Sequence, residues 1–193
     1  GKKKNLFSIN ILIANKNYKL ICKQIKQFKP KIFIINDLKV FKKVKKKFKS
    51  KKILILNHNA FSINSIQNKK INFKKSDITI AAIPGIAGLN PTIEMIKKSK
   101  KILLANKESI ICGWNLIKKT ALQNKTKIVP VDSEHFSIMK LLEKDKLKEI
   151  KKIYLTASGG PFLDFKVSEL KKVKPHEAIK HPKWKMGKKI SID

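Results

Sequence analysis

Residues 77–131 read DITIAAIPGIAGLNPTIEMIKKSKKILLANKESIICGWNLIKKTALQNKTKIVPV. The runs Asp77 to Ile83, Ile102 to Ala105 and Lys127 to Val131 have strand character, the first of them reading as a strong buried strand. Between them Pro91 to Lys98, with Ile93 and Ile96 facing inward, and Glu108 to Leu122 have helical spacing. Pro84 to Gly88 reads as a turn. Strand and helix thus alternate with short links, which calls for crossover units on a mostly parallel sheet. The same alternation runs upstream. Leu6 to Ala14 is a strand, and a helix opens at Asn17 through Tyr18, Ile21, Cys22, Ile25 and Phe28 before Pro30 ends it. Lys31 to Ile35 is a second strand, and Asp37 caps a helix with Val40, Phe41, Val44 and Phe48 inward. Ile53 to Leu56 is a third strand, and Phe61, Ile63 and Ile66 suggest a short helix behind it. The expected fold is α/β, doubly wound on a mostly parallel sheet. Such sheets bind ligands at the carboxyl ends of their strands. The turns to search are Ala14 to Asn17, Ile83 to Gly88, Ala105 to Glu108 and Val131 to His135.

Beyond Ile150 the texture changes. Ile153 to Thr156 reads as a strand, Ala157 to Phe162 as a turn and Ser168 to Val173 as a short helix. HPKWKMG, His181 to Gly187, has no regular period and combines a large aromatic, a Met and a Gly, which suits a loop that closes over a ligand. Both ends read as cuts in a longer protein: the chain enters a strand soon after Gly1 and stops inside the alternating run Ile190 to Asp193.

Among the 193 residues, 46 are basic and 13 acidic, a formal net charge of +33. That charge would suit a nucleic-acid partner, but every basic residue is lysine and the lysines are spread over nearly every segment. Nucleic-acid readers favour arginine for bidentate contacts and interleave aromatics with it. Lys, Asn and Ile share A/T-rich codons, so coding bias accounts for the excess, and the expectation is no specific nucleic-acid partner. Polyanions should still bind without sequence preference at low salt. Hydrophobic residues at 42% are enough for a core and argue against disorder. Lys or Asn interrupts each apolar run before membrane-spanning length, so no membrane partner is expected. Cys22 and Cys112 make neither a disulfide framework nor a metal motif; they suit a reducing cytoplasm, and Cys112 is expected to pack inside its helix.

Asp132 and Glu134 are two of the few acids in the chain, and they sit two apart at the end of an expected buried strand. Residues i and i+2 of a strand point to one side, so the pair could hold Mg²⁺ or Mn²⁺ through oxygen ligands. The competing reading is a helix N-terminus, with Asp132 or Ser133 as cap and Glu134 favoured by the dipole. On spacing alone the two readings stand level. Asn106 could bond a cofactor amide and Lys107 a phosphate, or Asn106 is a helix cap and Lys107 one exposed lysine among many; the plainer option is favoured. Ser158-Gly159-Gly160 can aim N–H groups and a hydroxyl at a phosphate, though such a sequence is usually only a turn.

Taken together, LLANKES (Leu103 to Ser109), PVDSEH (Pro130 to His135), SGGPF (Ser158 to Phe162) and HPKWKMGKKISID (His181 to Asp193) resemble the 1-deoxy-D-xylulose 5-phosphate reductoisomerase family. The likeness extends to ANKN (Ala14 to Asn17) and PGIAGLNPT (Pro84 to Thr92). It implies a Rossmann-like NADPH-binding domain over 1–130 and the start of an α+β catalytic domain over 131–193. It further implies NADPH- and metal-dependent isomerisation and reduction of 1-deoxy-D-xylulose 5-phosphate to 2-C-methyl-D-erythritol 4-phosphate, in a cytoplasmic homodimer. By the resemblance Asn15, Lys16 and Asn17 meet the adenosine phosphate end of NADPH, with Asn106 and Glu108 on its nicotinamide side and Gly187 near the cofactor. Lys107, Ser133, Ser158 and His181 hold the phosphosugar, Trp184 and Met186 belong to a lid, and Asp132 and Glu134 bind Mg²⁺ or Mn²⁺, Glu134 also touching substrate. Lys107, Asp132, Glu134 and His181 would carry the catalysis. The resemblance moves the acidic pair from level odds to the metal reading. It also places the pyrophosphate loop before Gly1 and a third metal carboxylate after Asp193, so these 193 residues alone are expected to be inactive. The rival readings are a basic nucleic-acid-binding α/β module and another NAD(P)-dependent Rossmann dehydrogenase.

Overall fold

The structure is a computed structural model that describes residues 6–50, 52–57, 75–143, 147–156 and 159–182. The chain divides into two compact units, Gly1–Asp132 and Ser133–Asp193.

The first unit holds β1 (Ile11–Ala14), α1 (Tyr18–Phe28), β2 (Ile32–Ile35), α2 (Leu38–Lys47) and β3 (Leu54–Asn57), then β4 (Thr79–Ala81), α3 (Leu89–Ile96), β5 (Lys101–Leu104), α4 (Lys107–Gln123) and β6 (Lys127–Pro130). The strands form two parallel ladders, β1-β2-β3 and β4-β5-β6, each three strands wide. Ala14 pairs with Ile35 and Ile35 with Asn57, while Leu104 pairs with Ala81 and with Pro130. Parallel register brings the carboxyl ends of each set of strands to one edge.

Local chemistry sets the boundaries. The Asn17 side chain accepts from the Leu20 N–H at 3.1 Å and opens α1. Lys29 then leaves the helix in the left-handed region, φ 46°, just ahead of Pro30. Asp37 accepts from the Val40 N–H at 2.7 Å and opens α2, whose last turn carries Lys45, Lys46 and Lys47 against the negative end of the helix dipole. Two apolar clusters hold the unit together. One buries Ile21, Ile25, Phe33, Ile35, Val44 and Phe48 between α1, α2 and the β2 strand. The other draws on both ladders, joining Ile32, Ile34 and Leu56 to Met95, Ile96, Ile102, Leu104 and Ile117.

Two expectations change here. Asp77 to Ile83 is not a buried strand: only Thr79–Ala81 pairs, and Ile78 and Ile80 are exposed, because β4 is the edge of its ladder. The expected α/β, Rossmann-like architecture of parallel strands is present, its strands paired in the ladders β1-β2-β3 and β4-β5-β6 among the described residues. Cys112 is exposed, because α4 buries Ser109, Ile117, Thr120 and Ala121, and Gly113 interrupts the helical backbone beside the cysteine. The short helix expected around Phe61 to Ile66 lies outside the described residues.

The second unit contains α5 (Ser133–Leu141), α6 (Val167–Leu170) and α7 (Pro175–Ala178), with single 3₁₀ turns at Leu147–Glu149 and Gly160–Phe162. The expected strand Ile153 to Thr156 is irregular and exposed. A strand exists only beside a partner, and no ladder among the described residues includes this segment. Among the helices, α6 takes Val167–Leu170, shorter than the Ser168 to Val173 expected.

Candidate active site

Three turns at the carboxyl edge of the first unit carry the residues singled out by sequence. The first follows β1. Asn15 and Lys16 are exposed, and Asn17 caps α1. Asn15 Oδ1 accepts from Asn36 Nδ2 at 3.2 Å, and Asn57 Nδ2 donates to the carbonyl oxygens of Ile35 and Asn36, both at 3.0 Å. An asparagine at the end of each of β1, β2 and β3 thus ties the three turns side by side. Asn36 and Asn57 were missed in the sequence reading. Their signal was present, an Asn directly after or closing each apolar run, but no helix or motif drew attention to it.

The second turn follows β5. Asn106 is 2% exposed. Its Oδ1 accepts from the Ser109 N–H at 3.1 Å, the cap expected for α4. Its Nδ2 donates to the carbonyl oxygens of Ile83 and Gly85, the latter at 2.9 Å, across to the loop after β4. Both amide protons are therefore engaged inside the protein. Lys107 is exposed as the first residue of α4, and Glu108 is half-buried in its first turn, where an acid opposes the positive end of the helix dipole.

The third turn follows β6, and it corrects the geometry expected for the acidic pair. The strand ends at Pro130, Asp132 is half-buried in the connection, and Ser133 and Glu134 are exposed in the first turn of α5. The same-side rule for strand residues therefore does not apply. Asp132 precedes a helix and Glu134 lies within its first turn. Placement at the start of a helix does not remove the oxygen-donor chemistry: two carboxylates and a hydroxyl still fall within three consecutive residues, the hard ligand type a divalent cation takes. Among the described residues no group of three or more His, Cys, Asp or Glu side chains converges. In the second unit His181 is half-buried. Gly159, φ 81°, occupies the left-handed region a glycine favours and opens the 3₁₀ turn at Gly160–Phe162. Ser158, Trp184, Met186 and Gly187 lie outside the described residues.

Parallel strands linked through helices, with polar turns gathered at the carboxyl edge, define an α/β domain of the Rossmann-like, dinucleotide-binding class. The finer assignment comes from comparison with known proteins. Residues 1–113 match the family model described as 1-deoxy-D-xylulose 5-phosphate reductoisomerase, and residues 128–193 match the C-terminal domain of the same enzyme. The chain belongs to the 1-deoxy-D-xylulose 5-phosphate reductoisomerase family. It is 48% identical over 187 residues to that enzyme from Pelagibacter ubique, covering 97% of this chain and 47% of the relative. The reductoisomerase from Zymomonas mobilis in complex with NADPH superposes with a TM-score of 0.79 at 29% identity, covering 93% of this chain and 46% of that one. A reductoisomerase with NADPH, fosmidomycin and magnesium gives a TM-score of 0.76 at 31% identity, covering 98% and 48%. The chain spans about half the length of the relatives it matches.

Proposed function

We propose that the protein containing this chain converts 1-deoxy-D-xylulose 5-phosphate to 2-C-methyl-D-erythritol 4-phosphate, using NADPH and Mg²⁺ or Mn²⁺. The observation that carries this reading is positional: the turns after β1, β5 and β6 of one parallel unit hold Lys16, Lys107 and Asp132 in the family's order. When bound, the cation supplies Lewis-acid polarisation of substrate oxygens and NADPH supplies hydride.

The chain's own residues divide the remaining work. Lys16, exposed between Asn15 and Asn17, offers a point charge to the 2′-phosphate that separates NADPH from NADH. Glu108 and Gly187 border the cofactor. Lys107, Ser133, Ser158 and His181 hold the phosphosugar, and Asp132 and Glu134 contribute oxygen ligands to the cation. Trp184 and Met186 close over the substrate and keep water from the reacting carbons. The protein acts as a cytoplasmic homodimer on a small phosphorylated sugar, with no specific nucleic acid and no membrane. No helix among the described residues is long and apolar enough to cross a membrane.

The test is NADPH consumption by the full-length protein with 1-deoxy-D-xylulose 5-phosphate, with and without a chelator. Consumption that requires both sugar phosphate and free Mg²⁺ or Mn²⁺ is expected. Consumption unaffected by chelation, or none with this substrate, rejects the reading.

A further inference from the structure

The lysines of this chain run along its whole length, but the acids do not. Residues 1–76 hold 22 lysines and one acid, Asp37, whereas residues 77–193 hold 24 lysines and 12 acids. Asp37 is occupied as the cap of α2, where its carboxylate accepts from the Val40 N–H. The ion pairs among the described residues, Lys97–Glu94, Lys100–Asp77 and Lys140–Glu143, all fall in the later part of the chain. The fold gathers the uncompensated charge on one side. Ile21 and Ile25 of α1 and Val44 of α2 pack with Phe33 and Ile35 of β2, while Ile32 and Ile34 of the same strand belong to the other cluster. Both helices therefore cover one face of the β1-β2-β3 ladder. Every described lysine between residues 16 and 52 is exposed. A helical layer charged with lysine alone, over an apolar core, carries a positive potential that extends into solvent.

That layer starts at the turn after β1. Asn17 caps α1 directly behind Lys16, and the Asp37 N–H at the start of α2 donates to the Asn15 carbonyl at 3.3 Å. Lys42 and Lys43 are set back from the start of α2 by about 7–9 Å, at about 1.5 Å of rise per residue. We propose that the α1–α2 lysine layer is an electrostatic guide for the anionic cofactor: lysines behind the turn raise the rate at which NADPH reaches Lys16 and do not hold it once bound. The proposal rests on the reading of that turn as the NADPH phosphate contact. NADPH carries one phosphate more than NADH, so the same field favours the phosphorylated cofactor before any contact is made.

The test is stopped-flow association of NADPH with the full-length protein at ionic strengths of about 0.01 to 1 M, over which the Debye length shrinks from roughly 30 Å to 3 Å. Two double variants in α2 are compared, Lys42→Gln/Lys43→Gln and Lys42→Glu/Lys43→Glu, the second changing the charge by twice as much as the first. Lys118→Glu/Lys119→Glu is the control, on exposed lysines about 17 Å along α4 from its start. At the lowest salt the α2 Glu pair should slow association about fivefold or more, at the low end of what steering supplies. The Gln pair should show half that effect on a logarithmic scale. The differences should vanish at the highest salt, dissociation should be unchanged, and the control should lose far less. Equal losses for the Gln and Glu pairs, or faster dissociation, would make Lys42 and Lys43 direct contacts and overturn the proposal. An equal loss in the control would assign the effect to net charge instead of this layer, and unaltered association would leave the layer without a part; either overturns it. Failure of the unaltered protein to bind NADPH at all would reject the cofactor reading, and the guide with it.

Discussion

The two compact units of this chain bury their apolar residues very differently. In the first, β2 is buried at all four positions and Phe33, Ile21, Ile96, Ile102 and Ile117 are fully enclosed. In the second, Gly160 is the only buried residue among those described, while Tyr154, Leu155, Leu163 and Val167 are all more than half exposed. Composition contributes, since Ile makes up 24 of the 132 residues of the first unit and 6 of the 61 of the second, although both are rich in Lys. Topology adds to it: the first unit's helices and strands each find their partners a short crossover away, whereas α6 and α7 are single turns with no sheet among the described residues to lie on. Short-range crossovers thus give the first unit an enclosed core of its own.

The sharpest way to break that contrast is truncation in each unit of the full-length protein. Phe33→Ala should lower unfolding stability by about 3–5 kcal/mol, the range for emptying a fully buried aromatic site. Tyr154→Ala, which loses only an exposed ring with Lys152 Nζ 4.9 Å from its centre, should change stability by about 0.5 kcal/mol or less. Urea unfolding curves for the pair check both, and comparable losses would erase the distinction.

A smaller effect concerns what the well-packed unit displays at its edge. Lys16→Ala should weaken NADPH binding by roughly 1.5–3 kcal/mol and leave NADH nearly unchanged, because only the former carries the phosphate. Titration of both cofactors measures it, and equal losses would remove Lys16 from the phosphate site. Asp37→Ala should cost about 1 kcal/mol through loss of the α2 cap, read from the unfolding midpoint; no change would mean that packing of Val44 alone defines the helix start.

The smallest effect is electrostatic. Asp77 and Lys100 form an exposed ion pair at 2.8 Å. The hydrogen bond from Lys100, then its charge, holds the Asp77 carboxyl below its ordinary 3.8, and the same bond raises Lys100 above 10.5. The Asp77 contribution is therefore present above pH 3.8 and lost as pH falls through the depressed value. That of Lys100 is present below 10.5 and lost as pH rises through the raised one. Exposed pairs are worth little, so Asp77→Asn should only flatten the stability slope at the acid end. Thermal unfolding across a pH series would show it, and a large loss at neutral pH would reveal a structural role for Asp77.

Much of the first unit was legible because its signals are local. Asn17 and Asp37 precede helices they cap, and the unbroken run Ile32–Ile35 needs both faces covered. What failed depended on neighbours. A sequence cannot tell an edge strand from a central one, which is why Ile80 was read as buried. Nor can it supply Ile153 to Thr156 with a partner. At the candidate site, the cap formed by Asn106 was readable from its place before a helix, but its grip on Ile83 and Gly85 was not, since those carbonyls lie in a different loop. The acidic pair was found for its spacing, although the strand geometry given as the reason does not hold: Glu134 is helical.

That pair supports the most direct measurement. In the full-length protein Asp132→Asn preserves size and capping ability while removing an anionic ligand. Turnover is followed across a titration of Mg²⁺ or Mn²⁺, beside direct binding of NADPH. Turnover should fall by orders of magnitude with NADPH affinity retained, Glu134→Gln should do the same, and the double variant should be little worse than either, because residues serving one ion act as a unit. Near-normal turnover and an unshifted metal dependence in either single variant would leave Asp132 and Glu134 as the start of a helix and nothing more.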